Sequence, residues 1–128
     1  MTGAAGEWLA RAMEDLRTVE RLLGDEGLTN IAAFHAQQCI EKCFKAVIEG
    51  AGRAVPRVHD LVRLSALVAE VAAIPSDEET LIELSTVYLD ARYPGTAGFL
   101  PAGKPALEDV GRYYRVAAEV YRLVLGLK

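Results

Sequence analysis

One segment constrains the fold of this chain more than any other: residues 34–49, which read FHAQQCIEKCFKAVIE. Apolar side chains recur in it at three- and four-residue spacing, which predicts an amphipathic helix with one buried face. The members of this apolar band are Phe34, Ala36, Ile40, Cys43, Phe44, Val47 and Ile48. A second row with the same spacing is polar, and its members are His35, Gln38, Lys42, Lys45 and Glu49. A plain surface helix needs only charges there, so this mixture of imidazole, amide and ammonium groups suggests a place to hold an anion.

The length and composition limit what surrounds this helix. A chain of 128 residues suffices for one ordinary domain, and we expect residues 1–128 to form a single one. Apolar residues make up 52% of the chain and charged residues 25%, which is typical of a compact soluble protein. The formal net charge is −4, so an anion-binding surface must be a local concentration of positive charge.

The two cysteines, Cys39 and Cys43, lie four residues apart on the apolar side of the segment. Nothing else in the sequence completes a zinc site with them, so we predict two reduced core cysteines, no metal and no cofactor. The N-terminal residues do not resemble a secretory signal, and no apolar run approaches the roughly 18–20 residues that cross a bilayer. We therefore expect a cytoplasmic protein with no membrane contact.

Glycine and proline residues divide the chain into five predicted helices. Their expected positions are about 7–23, about 30–49, a third helix capped by Asp60, a fourth between Ser76 and Pro94, and about 105–125. Ser76 followed by Glu79 is a capping-box pattern for the fourth helix. No segment alternates with a period of two, so no sheet is expected. The predicted fold is all-α, an antiparallel up-and-down bundle of about five helices that is similar to a four-helix bundle.

Positive charge concentrates just after the second helix. Residues 51–63 carry three arginines and one acid, and the charged or titratable side chains there are Arg53, Arg57, His59, Asp60 and Arg63. If the shorter helices fold back over the second helix, these groups surround one groove with Lys42, Lys45, Arg92 and Lys104. Phosphate favours such a groove, because arginine offers it a planar fork of donors. A set of separate, solvated cations is the alternative, and spacing alone leaves both open.

His59, His35 and Arg92 each allow two interpretations. His59, at the start of the third helix, and His35, near the start of the second, allow either a proton-transfer role or a structural role. Tyr88 and Arg92 share a helical face, and Tyr93 precedes a proline that disfavours helical geometry. Arg92 can bind the carbonyls at the end of its own helix or reach a ligand.

Four pieces of the sequence form a distinctive series. They are an N-terminal helix with Trp8, Asp15 and Leu16, the stretch FHAQQCIEKCFKA at 34–46, a proline loop leading to VHDL at 58–61, and YLDARYPG at 88–95. In this combination the chain resembles the HEPN family of small all-helical domains, over nearly its whole length. The resemblance implies an up-and-down helical bundle that pairs into a homodimer with a groove between the subunits.

The branch that the chain most resembles is encoded beside a minimal nucleotidyltransferase. The resemblance therefore implies a nucleotide- or partner-binding module that acts with this separate enzyme in a toxin–antitoxin-like pair. The residues carried over as nucleotide-binding are His35, Gln38, Lys42, His59, Asp60, Arg92 and Tyr93. In this hypothesis Lys42 and Arg92 contact phosphate, while Gln38 and Tyr93 contact a base.

Two other functions stay open at this point. Many members of the wider family are RNA-cutting toxins whose motif is an arginine, four to six residues and then a histidine. Arg92 fits the arginine by position, but Ala97, Gly98 and Phe99 occupy the places where the histidine belongs. A metal-independent ribonuclease would then use His59 and Arg92 as its catalytic pair. The third hypothesis is a helical dimer whose only task is protein interaction.

Overall fold

The computed structural model describes residues 1–92 and 104–127, and for residues 88–92 it describes the backbone. Its α-helices are α1 (Gly3–Leu22), α2 (Thr29–Gly50), α3 (Leu61–Ala69), α4 (Glu78–Arg92) and α5 (Leu107–Leu125), with a short 3-10 helix at Glu26–Leu28. The described residues contain five α-helices and no strand, which confirms the predicted all-α helical bundle. Within that part of the chain, no helix combines the length and the hydropathy needed to span a membrane.

α2 is the central helix of the bundle, and it contacts each of the other four α-helices. Ile40, Phe44 and Cys43 are completely enclosed, so most of the predicted apolar band lies in the core. Phe34 is the exception, because it is only half-buried near the start of the helix. Because α2 is surrounded on most sides, its buried polar side chains must form hydrogen bonds with other groups of the protein.

The two cysteines of α2 are free thiols buried in this core. A hydrogen bond with the Cys39 thiol, together with burial, raises the pKa of Cys43 well above its ordinary value. Since the thiolate is the reactive form, a buried thiol with a raised pKa is chemically inert. The prediction of two reduced core cysteines is confirmed.

α5 buries a different stripe from the one that its sequence suggests. The sequence pattern favours Leu107, Val110, Tyr114, Ala117, Tyr121 and Val124 as the inward face. In the structure the buried residues of α5 are Val110, Tyr113, Ala117, Val120 and Val124. Tyr114 and Tyr121 are half-buried and pack against the core from the flanks of this stripe. Of the six predicted residues, Val110, Ala117 and Val124 are buried, while Leu107 and the two tyrosines are half-buried. Both stripes satisfy a helical repeat, and packing on α2 selects between them.

The start of α4 also differs from the prediction. Ser76 does not form the predicted capping box, since its hydroxyl donates to the carbonyl of Ile74 at 3.4 Å. The helix begins at Glu78, and the backbone carbonyl of Asp77 accepts from the Leu81 amide at 3.0 Å. The Asp77 carboxylate accepts from the hydroxyl of Thr80 at 2.7 Å, so Asp77 takes the position that was predicted for Ser76. Two adjacent residues that both favour the N-cap make such a shift of one residue hard to predict.

The predicted cap of α3 is confirmed. The Asp60 carboxylate accepts from the backbone amides of Val62 at 2.9 Å and Arg63 at 3.3 Å. This cap fixes where the chain enters α3, immediately after His59. The cap formed by Asp60 therefore helps to determine the position of His59, a candidate site residue.

Replacing Asp60 with alanine is expected to lower the free energy of unfolding by about 1 kcal/mol. The reason is that two amides in the first turn of α3 lose their side-chain acceptor. Urea denaturation followed by circular dichroism measures the change. Asp60→Asn keeps an acceptor oxygen and should retain most of the stability, so equal losses in the two variants would refute the capping role.

Tyr113 is expected to make the stability of the bundle depend on alkaline pH. Burial and the neighbouring Glu83 carboxylate raise the pKa of Tyr113 to about 12. An unfolded tyrosine titrates near pH 10, so the stability contributed by the protonated phenol is complete below about pH 10 and is lost as the pH rises towards 12. The expected loss is on the order of 2 kcal/mol. Urea denaturation across this range should show a smaller loss for Tyr113→Phe, and identical pH profiles would contradict the assignment.

Candidate functional site

The polar row of α2 meets α1 at a single carboxylate. The Nδ1 atom of His35 lies 2.8 Å from Asp15 Oδ1, and the ammonium group of Lys42 donates to Asp15 Oδ2 at 2.7 Å. We call Asp15, His35 and Lys42 the Asp15 cluster. His35 and Lys42 are seven residues apart on α2, so two turns of helix bring them to one side of it. One acid on α1 therefore holds two of the predicted site residues together.

Exposure differs within the Asp15 cluster. The side chain of Asp15 is 9% exposed, while those of Lys42 and His35 are 21% and 31% exposed. The carboxylate is thus largely shielded from water, and the two basic groups remain within reach of a ligand. Since an ionised carboxylate only accepts hydrogen bonds, His35 Nδ1 is the donor to Asp15, and Nε2 lies at the far side of the ring. The ring of His35 also meets the ring of Phe34 edge to face, with 5.5 Å between the centroids.

A second polar network lies deeper, around Glu41. Its carboxylate accepts from Lys45 Nζ at 3.0 Å and from Gln37 Nε2 at 3.0 Å, and both oxygens lie 3.1 Å from His59 Nδ1. We call Gln37, Glu41, Lys45 and His59 the Glu41 network. Gln37 is completely buried, and Glu41 and Lys45 are 4% and 5% exposed. An ion pair at this depth needs further hydrogen bonds to its polar atoms, and both oxygens of Glu41 have more than one polar partner.

The Lys45 ammonium has a further partner in Trp8 of α1. It lies 5.6 Å from the centroid of the indole ring, within the range of a cation–π interaction. Trp8 is half-buried and packs against the core. The contact helps to explain how a lysine remains enclosed between α1 and α2.

An amide bridge connects the two groups of side chains. Gln38 Nε2 donates to Gln37 Oε1 at 2.7 Å, and Gln37 Nε2 donates to the backbone carbonyl of His59 at 3.1 Å. Gln38 lies between His35 and Lys42 along α2, on the same side of the helix. The bridge therefore joins the loop before α3 to the surface that carries the Asp15 cluster.

The predicted groove is not purely cationic in the structure, because carboxylates pair with several of its basic groups. Lys42 is paired with Asp15, and Lys45 is paired with Glu41, so both positive charges of α2 are balanced locally. Arg53 forms an ion pair with Glu70 at 2.6 Å. Arg57 and Arg63 are exposed on the segment around His59. The two lysines of α2 therefore offer directed donors without adding net charge to this face.

Of the remaining predicted residues, Asp60 and Lys104 form contacts that the structure describes, whereas the side chains of Arg92 and Tyr93 are not described. Asp60 caps α3, and its carboxylate oxygen Oδ1 is occupied by backbone amides. Lys104 donates to the carbonyl of Gly27 at 2.7 Å, beside the turn between α1 and α2. Arg92 is the last residue of α4, its side chain and Tyr93 lie outside what the structure describes, and their proposed contacts stay predictions.

The fold and this arrangement can be set beside known proteins. The family model described as HEPN domain matches residues 5–127. The chain belongs to the HEPN family. It is similar to the crystal structure of TT1696 from Thermus thermophilus, with 27% identity and a TM-score of 0.77 over 97% of this chain and 98% of that one. It also shares the fold of ST0689, an archaeal HEPN homologue, at 22% identity, with a TM-score of 0.71 and 98% of each chain covered. A comparison with curated proteins finds no match.

Three side chains that organise the candidate site were missed as site residues by the sequence reasoning: Asp15, Gln37 and Glu41. Gln37, Glu41 and Lys45 are spaced by four, so they form a polar stripe between the apolar band and the row of His35, Gln38 and Lys42. That stripe was a usable signal, because three polar residues facing the interior must bond to one another or to a neighbour. Asp15 carried no such pattern, since its partners belong to another helix.

Proposed function

We propose that this HEPN protein binds a nucleotide at the surface formed by His35, Gln38 and Lys42, with His59 beside it. The observation that carries the proposal is the shared carboxylate of Asp15, which holds His35 and Lys42 on one side of α2 at 2.8 and 2.7 Å. Binding sites for small polar ligands use a few such convergent groups fixed by the surrounding fold.

Lys42 is suited to contact phosphate despite its pairing with Asp15. An ammonium group has three N–H donors, and the bond to Asp15 uses one of them. The carboxylate fixes the direction of the side chain, which reduces the conformational entropy that a ligand must remove on binding. In the proposal Arg92 supplies a second phosphate contact, Tyr93 stacks on the base, and Asp60 positions His59 through the cap of α3.

We infer that this chain acts with a separate minimal nucleotidyltransferase in a toxin–antitoxin-like pair. In this proposal, nucleotide binding is part of the joint function of the two proteins. Membership of the HEPN family supports this proposal, and the resemblance to chains encoded beside such an enzyme motivates it. A short nucleotidyltransferase reading frame next to the gene, and co-purification of its product, would support the pairing. Failure of the two purified proteins to associate would count against it.

Calorimetric titration of the purified chain with ATP, ADP and AMP tests the nucleotide site directly. The proposal expects saturable binding with one nucleotide per chain and no turnover of the ligand. Binding should weaken with added salt, because the contacts to phosphate are ionic. No heat of binding at millimolar nucleotide would refute it.

The homodimer remains part of the proposal. Leu23, Leu28 and Ile31 are exposed around the turn between α1 and α2, where isologous pairing would cover them. Size-exclusion chromatography with light scattering at micromolar concentration is expected to give twice the 13.9-kDa mass of the chain. A mass of one chain over the whole concentration range would contradict the dimer.

A metal-independent ribonuclease is the second candidate, and one observation favours it. Both histidines have Nδ1 beside a carboxylate, Asp15 for His35 and Glu41 for His59. Such a pairing fixes the tautomer and orientation of an imidazole, which a general acid or base requires. Cleavage of single-stranded RNA that is abolished by both His59→Ala and Arg92→Ala would establish this activity, and intact RNA after prolonged incubation would exclude it for that substrate.

A further inference from the structure

Only one ring nitrogen of His35 is available to a ligand. Its Nδ1 atom lies 2.8 Å from Asp15 Oδ1, and Asp15 forms an ion pair with Lys42 through its other oxygen. Since an ionised carboxylate only accepts, the hydrogen between Asp15 and His35 belongs to Nδ1. Among the residues that the structure describes, no group forms a hydrogen bond with Nε2, and the side chain of His35 is 31% exposed. When the ring is neutral, Nε2 therefore offers a ligand a lone pair and no hydrogen.

This lone pair determines how His35 can meet a phosphate group. The oxygens of an ionised phosphate are acceptors, so they cannot pair with a nitrogen that is itself an acceptor. Contact requires a hydrogen on Nε2, while Nδ1 keeps its own hydrogen for Asp15. The ring must then be an imidazolium, in which both nitrogens donate. A phosphate that binds through this ring is accompanied by one proton.

The net charge of the Asp15 cluster leads to the same requirement. The charges of Asp15 and Lys42 cancel, so the cluster is neutral when His35 is neutral and carries one positive charge when His35 is protonated. Of the charged groups in the described part of the chain, only Asp15 of α1 bonds to the imidazole, and Lys42 of α2 shares that carboxylate. Because an opposite charge nearby favours the charged form of a titratable group, an anion at this cluster favours the protonated ring.

We infer that His35 contacts a phosphate of the bound nucleotide through Nε2–H, beside Lys42, and that the ring takes up a proton as the nucleotide binds. This inference rests on the proposed nucleotide site and adds proton uptake to it. A hydroxyl or amino group of the ligand is the alternative partner, since it would donate to the lone pair of the neutral ring and require no proton. The ammonium group of Lys42 favours the phosphate, because it also needs an acceptor.

Nuclear magnetic resonance of the full chain tests the inference, because the Cε1–H signal of an imidazole shifts when the ring gains a proton. The chain has two histidines, so the spectrum of His59→Asn assigns the signal of His35. A titration from about pH 5 to about pH 8 without ligand gives the positions of the neutral and the charged ring. ATP is then added at a pH at which the free ring is mostly neutral, and the signal should move to the charged position. Adenosine, which lacks phosphate, should leave the ring neutral.

The affinity for ATP provides a second measurement. If one proton accompanies each nucleotide, the Kd should rise by up to about tenfold per pH unit where the free ring is neutral. His35→Asn keeps a donor for Asp15 and removes Nε2, so this part of the pH dependence should disappear. The terminal phosphate of ATP also titrates, near about pH 6, and comparing the two proteins with the same ligand cancels that contribution. Thermal unfolding verifies that the variant is folded.

The outcomes separate the two proposals. A charged His35 in the ATP complex, with a pH dependence that His35→Asn removes, supports the inference. A ring that stays neutral while ATP binds overturns the inference and leaves the nucleotide site standing, with Nε2 as an acceptor. Adenosine that charges the ring as ATP does, or a pH dependence that persists in His35→Asn, also overturns the inference. If ATP does not bind, the proposed function fails and the inference fails with it.

Discussion

Replacing Glu41 with alanine is expected to lower the free energy of unfolding by about 3–5 kcal/mol. The change removes the acceptor of Lys45, Gln37 and His59 together. Lys45 is the main reason for the large effect, because its side chain is only 7% exposed and its charge would remain enclosed without a counter-ion. Urea denaturation measures the loss.

Two comparisons isolate the buried ion pair. Glu70→Ala removes the partner of Arg53 from a surface pair in which both side chains are about half exposed, so the expected loss is below about 1 kcal/mol. The double variant Glu41→Leu with Lys45→Met removes both charges and should be more stable than Glu41→Leu alone. If Glu41→Ala were no more damaging than Glu70→Ala, the Glu41 network would not be a structural centre of the bundle.

Lys42→Met is expected to weaken ATP binding by roughly 10- to 150-fold, which corresponds to the 1.5–3 kcal/mol of a hydrogen bond to a charged group. The methionine side chain retains most of the apolar stem of lysine and removes the ammonium group. Asp15 still has His35 at 2.8 Å after the change, and thermal unfolding of the variant verifies that the fold is intact. The measurement is a calorimetric titration at fixed ionic strength.

The control for this loss is Arg122→Met. It removes the same unit of charge from an exposed position on α5, where Arg122 is paired with Glu119. Binding to this variant should match that of the unmodified chain, which separates a direct contact from a general electrostatic effect. An ATP affinity that Lys42→Met leaves unchanged would place the nucleotide elsewhere, even if the chain binds one.

The helix caps and the buried face of α5 show what local sequence signals can predict. Asp60 was predicted as the cap of α3 and does cap it, because capping depends on the residue and on two amides that follow it closely. Where two residues compete for the same role, as Ser76 and Asp77 do, the sequence placed the cap one residue too early. The inward stripe of α5 was rotated for a related reason, since tyrosines suit both a core and its margin.

The sequence alone identified only some of the residues of the candidate site. His35, Gln38 and Lys42 were identified because helical spacing alone puts them on one side of α2. The carboxylates that organise them were missed, and so was the division of the basic groups into two locally balanced sets around Asp15 and Glu41. Pairing between residues on different helices depends on how each helix is rotated, and one sequence does not encode that rotation in any short pattern.

The sequence by itself determined the helices, the enclosed apolar band of α2 and the resemblance to the HEPN family, because each depends on residue types at short, regular spacing. Only the tertiary structure decided that Asp15 on α1 meets His35 and Lys42, and that Glu41 meets His59 from the loop before α3. The physical reason is that burial leaves a polar group no water to bond with, so it bonds to whichever neighbour the packing of the helices brings within reach.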